Sequence, residues 1–118
     1  MQTYKDLIVW QKSKELVTEI YGVTKMFPSE EKFGISNQMR RCAVSIPSNI
    51  AEGYARRNRK ENAQFINIAF GSATELETQI IISKKLNFVN EREWQKSESL
   101  LKEVLSMLYR YRETLYNN

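Results

Sequence analysis

Ile35-Ser36-Asn37-Gln38-Met39-Arg40-Arg41-Cys42-Ala43-Val44-Ser45-Ile46-Pro47-Ser48-Asn49-Ile50-Ala51-Glu52-Gly53 is the stretch that decides the fold. Within it Ile35, Met39, Cys42, Ala43, Ile46, Ile50 and Gly53 recur at spacings of three and four, the period of one helical face. Pro47 interrupts this stripe, where it removes one backbone hydrogen bond and crowds the Ala43 carbonyl. The period stays in phase on both sides of it. The expectation is therefore one Pro-kinked helix over residues 35–56, not two short ones. The carbonyl freed at Ala43 is either a by-product of the kink or a point that binds something.

The same period extends in both directions. Leu7, Trp10, Val17, Ile20, Tyr21 and Phe27 predict a helix over residues 7–26, stopped by Pro28. Ser29–Phe33 is a short charged connection ending at Gly34. Asn58, with Glu61 three residues on, has the spacing of a capping box and opens a helix over 59–86. Its stripe is Phe65, Ile66, Ala69, Ser72, Ala73, Leu76, Ile80 and Ser83. Gly71, set between Ala69 and Ala73, suggests a close helix–helix approach. Asn90 with Glu93 repeats the capping pattern and opens a helix over 91–116, carried by Trp94, Leu101, Val104, Leu105, Leu108, Tyr111 and Leu115. Four long helices with short loops give an all-α fold, an up-down-up-down antiparallel four-helix bundle filling a single domain, residues 1–118.

Composition agrees and removes whole classes of chemistry. Among 118 residues there are only four glycines and two prolines, which favours long helices over many turns. There is no histidine and one cysteine, which excludes Ser-His and Cys-His catalysis, zinc fingers and disulfide scaffolds. No Gly-rich phosphate loop, HExxH or CxxC occurs. No catalytic residue, metal or cofactor is expected. A carboxylate–metal enzyme built on Glu52 and Glu75 is the weakest of the readings weighed. Cys42 follows Arg40 and Arg41, which would lower a thiol pKa, yet it lies on the apolar stripe and reads as core. No aliphatic run exceeds three residues, as in Ile80-Ile81-Ile82, far short of a membrane span, so a soluble, cytoplasmic protein is expected.

Antiparallel pairing about a turn near Asn58 sets Arg40 and Arg41 level with Glu75 and Glu77, and places Asn49 and Glu52 near residues 64–67. A structural polar layer of Arg40, Arg41, Asn49, Glu52, Glu75 and Glu77 follows, with Arg–carboxylate pairs that fix register. The remaining charge is localised. Residues 40–60 hold six cations against the single Glu52, a net of +5, whereas the whole chain is +4. Arg56, Arg57, Arg59 and Lys60 cluster at the turn between the second and third helices, and in this topology Arg110 and Arg112 share that end. Tyr54, Tyr111 and Tyr116 lie there as stacking or hydrogen-bonding groups. These six cations are the candidate nucleic-acid-binding residues, suited to phosphate. Ile8, Leu16, Val23, Phe70, Ile81 and Ile82 fall off the main stripes. Phe70, Ile81 and Ile82 in particular mark an oligomer interface, since a monomer leaves them wet.

One run goes beyond periodicity. Phe27-Pro28-Ser29-Glu30-Glu31-Lys32-Phe33-Gly34-Ile35, followed by Gln38 through Gly53 with its Ser45-Ile46-Pro47-Ser48-Asn49-Ile50-Ala51-Glu52-Gly53 segment, resembles the family of four-helix bundles named for proteins encoded in intervening sequences of bacterial 23S ribosomal RNA genes. Asp6–Lys12 and Gly71–Gln79 support the likeness, which is weakest in the fourth helix. The chain is also similar to the accessory variability proteins of diversity-generating retroelements. The resemblance implies a homopentameric ring and, where such a gene is retroelement-linked, a reverse transcriptase as partner. Three readings follow: a non-catalytic homo-oligomer binding nucleic acid, RNA ahead of DNA, through its basic end; a protein–protein scaffold or accessory subunit without nucleic-acid contact; and, last, a small enzyme.

Overall fold

The computed structural model describes residues 2–117, and among these it contains four α-helices and no strand. They are α1 (Ile8–Thr24), α2 (Ile35–Tyr54), α3 (Arg59–Lys85) and α4 (Gln95–Tyr116), joined by short turns and packed into a body of 45 × 24 × 23 Å. α2 runs unbroken through Pro47, which is half-buried.

Local chemistry sets most of the boundaries. The Thr3 side chain accepts from the Lys5 amide, and Asp6 accepts from the Thr3 amide, closing a 3₁₀ turn ahead of α1. α1 ends where the Thr24 hydroxyl turns back to the Ile20 carbonyl at 2.6 Å and Pro28 forbids continuation. Asn58 caps α3 as its spacing predicts: its Oδ1 accepts from the Glu61 amide at 2.8 Å, and its Nδ2 donates to the Glu61 carboxylate at 2.9 Å. α3 closes on Asn87, which takes φ 56°, with its amide on the Lys84 carbonyl and that of Phe88 on the Ser83 carbonyl. This is a Schellman-type stop in which Asn replaces the usual glycine.

α4 differs from expectation. Residues 91–94 form a 3₁₀ turn, the helix proper begins at Gln95, and the Asn90 side chain caps nothing. Trp94 supplies the reason. It is fully buried, with its ring 5.8 Å from that of Phe27, which also meets Phe88 at 5.0 Å. Seating an indole there tightens the turn. Outside it, Lys84 holds Glu91 at 2.8 Å and Glu98 at 3.0 Å.

The core is one cluster drawn from all four helices, with Leu16, Ile20, Met39, Ile46, Ile50, Ile66, Leu76, Trp94 and Leu108 fully buried. Leu16 and Val23, expected on the surface, belong to it. α1 packs against both α2 and α4, so its buried face is wider than a single stripe. Gly71 also departs from expectation. It is exposed, and a Cβ there meets nothing within 4 Å, so no close approach occurs at that point within the chain.

Partner numbers across the interfaces fall along one helix as they rise along the next. Cys42 meets Ser72 and Gly53 meets Asn62 between α2 and α3. Asn62 meets Tyr111 and Lys84 meets Glu98 between α3 and α4. Lys12 meets Glu103 and Glu19 meets Lys96 between α1 and α4.

Candidate nucleic-acid interface

The end of α2, the start of α3 and the end of α4 come together at one end of the molecule. Arg59 donates to the Thr114 carbonyl at 2.6 Å, Asn62 Nδ2 donates to the Tyr111 hydroxyl at 3.2 Å, and Asn67 Nδ2 donates to the Tyr116 hydroxyl. The six cations predicted for this end thus share it, but they are not equivalent. Arg56 pairs with Glu52 at 3.1 Å, one turn earlier, and its guanidinium lies 4.7 Å from the Phe65 ring centre. Arg59 is engaged near the C-terminus of α4, where a cation complements the helix dipole. Arg112 is half-buried over Phe70, at 4.4 Å, with Nη1 3.4 Å from the Asn67 carboxamide oxygen. The side chains of Arg57, Lys60 and Arg110 are exposed, and among the described residues they make no hydrogen bond or ion pair.

The premise that a single chain leaves Phe70 wet is corrected. Arg112 covers it, and it packs against the core. Ile81 and Ile82 remain open, 52% and 44% exposed. They are joined by Ile68 and by Phe33, which is 88% exposed.

The Arg–carboxylate layer is a second correction. No ion pair links Arg40 or Arg41 to Glu75 or Glu77 among the described residues, and Arg41, Glu52, Glu75 and Glu77 are exposed. Arg40 turns toward α1 instead: Nε donates to the Thr24 hydroxyl at 2.9 Å, an Nη to the Tyr21 carbonyl at 3.4 Å, and the guanidinium lies 4.7 Å from the Tyr21 ring. The residues are level, as the register predicts, but level is not facing. With Met39, Cys42 and Ala43 inward, the 100° step per residue sends Arg40 to the α1 flank and Arg41 outward. Glu75 meets its own-helix Gln79, and Glu52 meets Arg56. Glu52 and Glu75, the carboxylates of the enzyme reading, are engaged separately, and no group of three potential metal ligands gathers among the described residues.

The α2–α3 crossing is polar through small groups. The Cys42 thiol donates to the Ser72 carbonyl at 2.9 Å, and the Ser45 and Ser72 hydroxyls meet at 2.9 Å. Asn49 Nδ2 donates to the Ser45 carbonyl at 2.7 Å and its hydroxyl at 2.9 Å. Burial, and next the Glu75 charge, push the Cys42 thiol up to about 12, against a smaller lowering by a hydrogen bond with the Leu76 backbone. It stays protonated.

Sequence reasoning missed Tyr109 and Asn67. Tyr109 is half exposed beside Arg112, 5.6 Å away, and Asn67 links Arg112 to Tyr116. The spacing Tyr109–Arg112–Tyr116 is visible in the sequence, but nothing there marks which rings are held.

No helix among the described residues is long and apolar enough to cross a membrane. Nothing among curated proteins matches the chain. A solved structure of a protein of unknown function from the S23 ribosomal protein family of Bacteroides thetaiotaomicron matches with a TM-score of 0.82 at 24% identity. The alignment covers 90% of this chain and 99% of that one, and it establishes a shared fold. The family model described as 23S rRNA-intervening sequence protein matches residues 5–110. With nine-tenths of its length matched, and with the Ser45–Gly53 segment inside that match, the chain belongs to the 23S rRNA-intervening sequence protein family.

Proposed function

We propose that this protein is a non-catalytic, homo-oligomeric bundle that binds nucleic acid, RNA ahead of DNA, through the end where α2 passes to α3. The observation that carries the reading is the set of unengaged cations, Arg57, Lys60 and Arg110, presented beside arginines that are already fixed. Free guanidinium and ammonium groups on helix ends suit phosphate, and each phosphate neutralised adds salt-dependent affinity. The absence of histidine and a protonated, buried Cys42 leave no obvious base or nucleophile, which favours a binding role over catalysis.

The architecture that fits is an up-down-up-down bundle kinked at Pro47, and the partner numbering across its interfaces supports that order. The family resemblance points to a pentameric ring, in which five copies of a +4 chain carry +20. A single thiol suits a cytoplasmic setting. A reverse transcriptase is the further partner where the gene is retroelement-linked.

Fluorescence anisotropy with a labelled structured RNA across a salt series tests this. The log–log salt slope is expected to fall by about 2–3 in an R57A/K60A/R110A variant, close to one per lost phosphate contact. Affinity indifferent to salt, or unchanged in that variant, overturns the reading. Open Ile68, Ile81, Ile82 and Phe33 favour a second reading, a protein scaffold. Under it, Ile81→Glu alters the sedimentation coefficient while no RNA is bound by either form.

A further inference from the structure

We infer that the face formed by the start of α3 and the end of α4 stacks unpaired bases, so that the nucleic acid taken at the basic end is single-stranded; this rests on the reading of that end as a nucleic-acid interface. Tyr109 and Tyr116 are seven residues apart on α4, which places them on one side of the helix about 10.5 Å apart along its axis. Both residues are about half exposed, Tyr109 51% and Tyr116 55%. A surface tyrosine ordinarily leaves its hydroxyl to water. Here the Tyr116 hydroxyl accepts from Asn67 Nδ2, and the Asn67 Oδ1 accepts from Arg112 Nη1 at 3.4 Å. Arg112 lies with its guanidinium carbon 4.4 Å from the Phe70 ring centre and 5.6 Å from that of Tyr109.

Arg112 and Asn67 are thus positioning residues. They tie one ring by its hydroxyl, flank the other, and leave both tyrosines open to an occupant. An aromatic held in place loses little entropy when a base stacks on it.

Charge identifies the occupant. Lys60, seven residues before Asn67 on α3, and Arg57 in the preceding turn lie toward the same end with no partner for their charges, as does Arg110 on α4. Rings for stacking beside unpaired cations are what a single strand requires: π-faces for bases and cations for the backbone. A duplex keeps its base faces inside its own stack and offers only phosphate. Bases rise by about 3.4 Å per nucleotide, so the distance from Tyr109 to Tyr116 spans about three steps. Glu113, four residues after Tyr109 and three before Tyr116, is the opposing carboxylate of that stretch.

The test uses the intact protein with an unstructured 12-nucleotide RNA and a 12-base-pair RNA duplex, each titrated by anisotropy over a salt series. The wild type is expected to prefer the single strand. Y109A and Y116A should each lose about ten-fold on the single strand and less than two-fold on the duplex, with the salt slope unchanged. Y109F should retain wild-type binding, which shows that the ring and not its hydroxyl is needed, while the retained duplex binding of Y109A and Y116A separates loss of a ring from loss of the fold. N67A should weaken single-strand binding without changing the slope, and E113Q should tighten it about two-fold. Equal losses on both nucleic acids, or none on the single strand, overturn the inference while leaving the basic end as a nucleic-acid interface. A changed sedimentation coefficient in Y109A or Y116A overturns it too, because a second copy then covers the rings. Salt-dependent binding absent from the wild type on every probe removes the underlying reading as well.

Discussion

A Cβ placed on Gly53 would stand 2.7 Å from Oδ1 of Asn62 and 3.1 Å from the Asn62 carbonyl oxygen, so the last turn of α2 and the first of α3 meet with no room for a methyl group. The Cβ of Phe65 closes the third side at 3.0 Å. Backbone and Cβ atoms cannot swing aside as the end of a long side chain can. Gly53→Ala is therefore expected to destabilise the fold by about 1–3 kcal/mol, although alanine is by itself favoured in a helix by about 1 kcal/mol. Urea unfolding gives the answer directly. An unchanged or raised midpoint would show that the two helices part without cost.

Arg40 and Arg41 are neighbours with opposite expectations. Arg40 joins α2 to the last turns of α1 through the Thr24 hydroxyl, the Tyr21 carbonyl and the Tyr21 ring. Arg40→Ala is expected to cost about 1–2 kcal/mol, combining a lost hydrogen bond with a lost cation–π contact. Arg41 is exposed and has no such partner, and Arg41→Ala should stay within about 0.5 kcal/mol of wild type. Paired thermal melts distinguish them. Equal losses would restore a joint role for the two arginines.

These two residues also show where sequence reading reaches its limit. The inward stripe of α2, the Asn58 cap and the pairing of α2 with α3 were legible because they depend on period and on local hydrogen bonding. Whether Arg40 faces α3 or α1 depends on a rotation of one residue, which spacing alone leaves open. The start of α4 departs from its capping pattern for a related reason. Asn90 and Glu93 have capping spacing, but burial of Trp94 against Phe27 is a long-range demand, and it prevails. At the basic end, charge was legible from composition, whereas the division between fixed Arg59 and Arg112 and open Arg57, Lys60 and Arg110 needed the distances.

Cys42 makes stability depend on pH in a predictable direction. Its thiol is raised from 9.0 to about 12 in the folded chain by burial and then by Glu75. Above pH 9 the unfolded chain ionises this thiol while the folded chain keeps the proton, so the unfolded state binds fewer protons and stability falls as pH rises. The contribution is intact below about pH 9 and is lost between there and about pH 12. Lysines and tyrosines titrate in the same range, so the measurement is the difference between wild type and Cys42→Ala. Wild type should lose stability more steeply between pH 9 and 10.5. Parallel curves would mean that the thiol ionises freely. Consistent with this, a thiol reagent at pH 8 should label native Cys42 far more slowly than the urea-unfolded chain.

Gly22 and Gly71 lie inside α1 and α3, both exposed, and a Cβ on either meets nothing within 4 Å. Neither glycine is explained by packing within the chain, in contrast to Gly53. If water covers them, Gly22→Ala and Gly71→Ala should each stabilise the fold by about 0.5–1 kcal/mol, by lowering the backbone entropy lost on helix formation. α1 packs mainly against α2 and α4, and α3 against the same two helices, so Gly22 and Gly71 share no main interface and the two gains should add. Denaturant midpoints for the single and double variants, read with sedimentation, decide the matter. A loss in either variant, accompanied by a change in assembly mass, would mean that a helix of another copy lies against that glycine. The outcome matters most at Gly71, since Ile68 and Ile82 stand open on the same helix and become buried with it if a second copy is there.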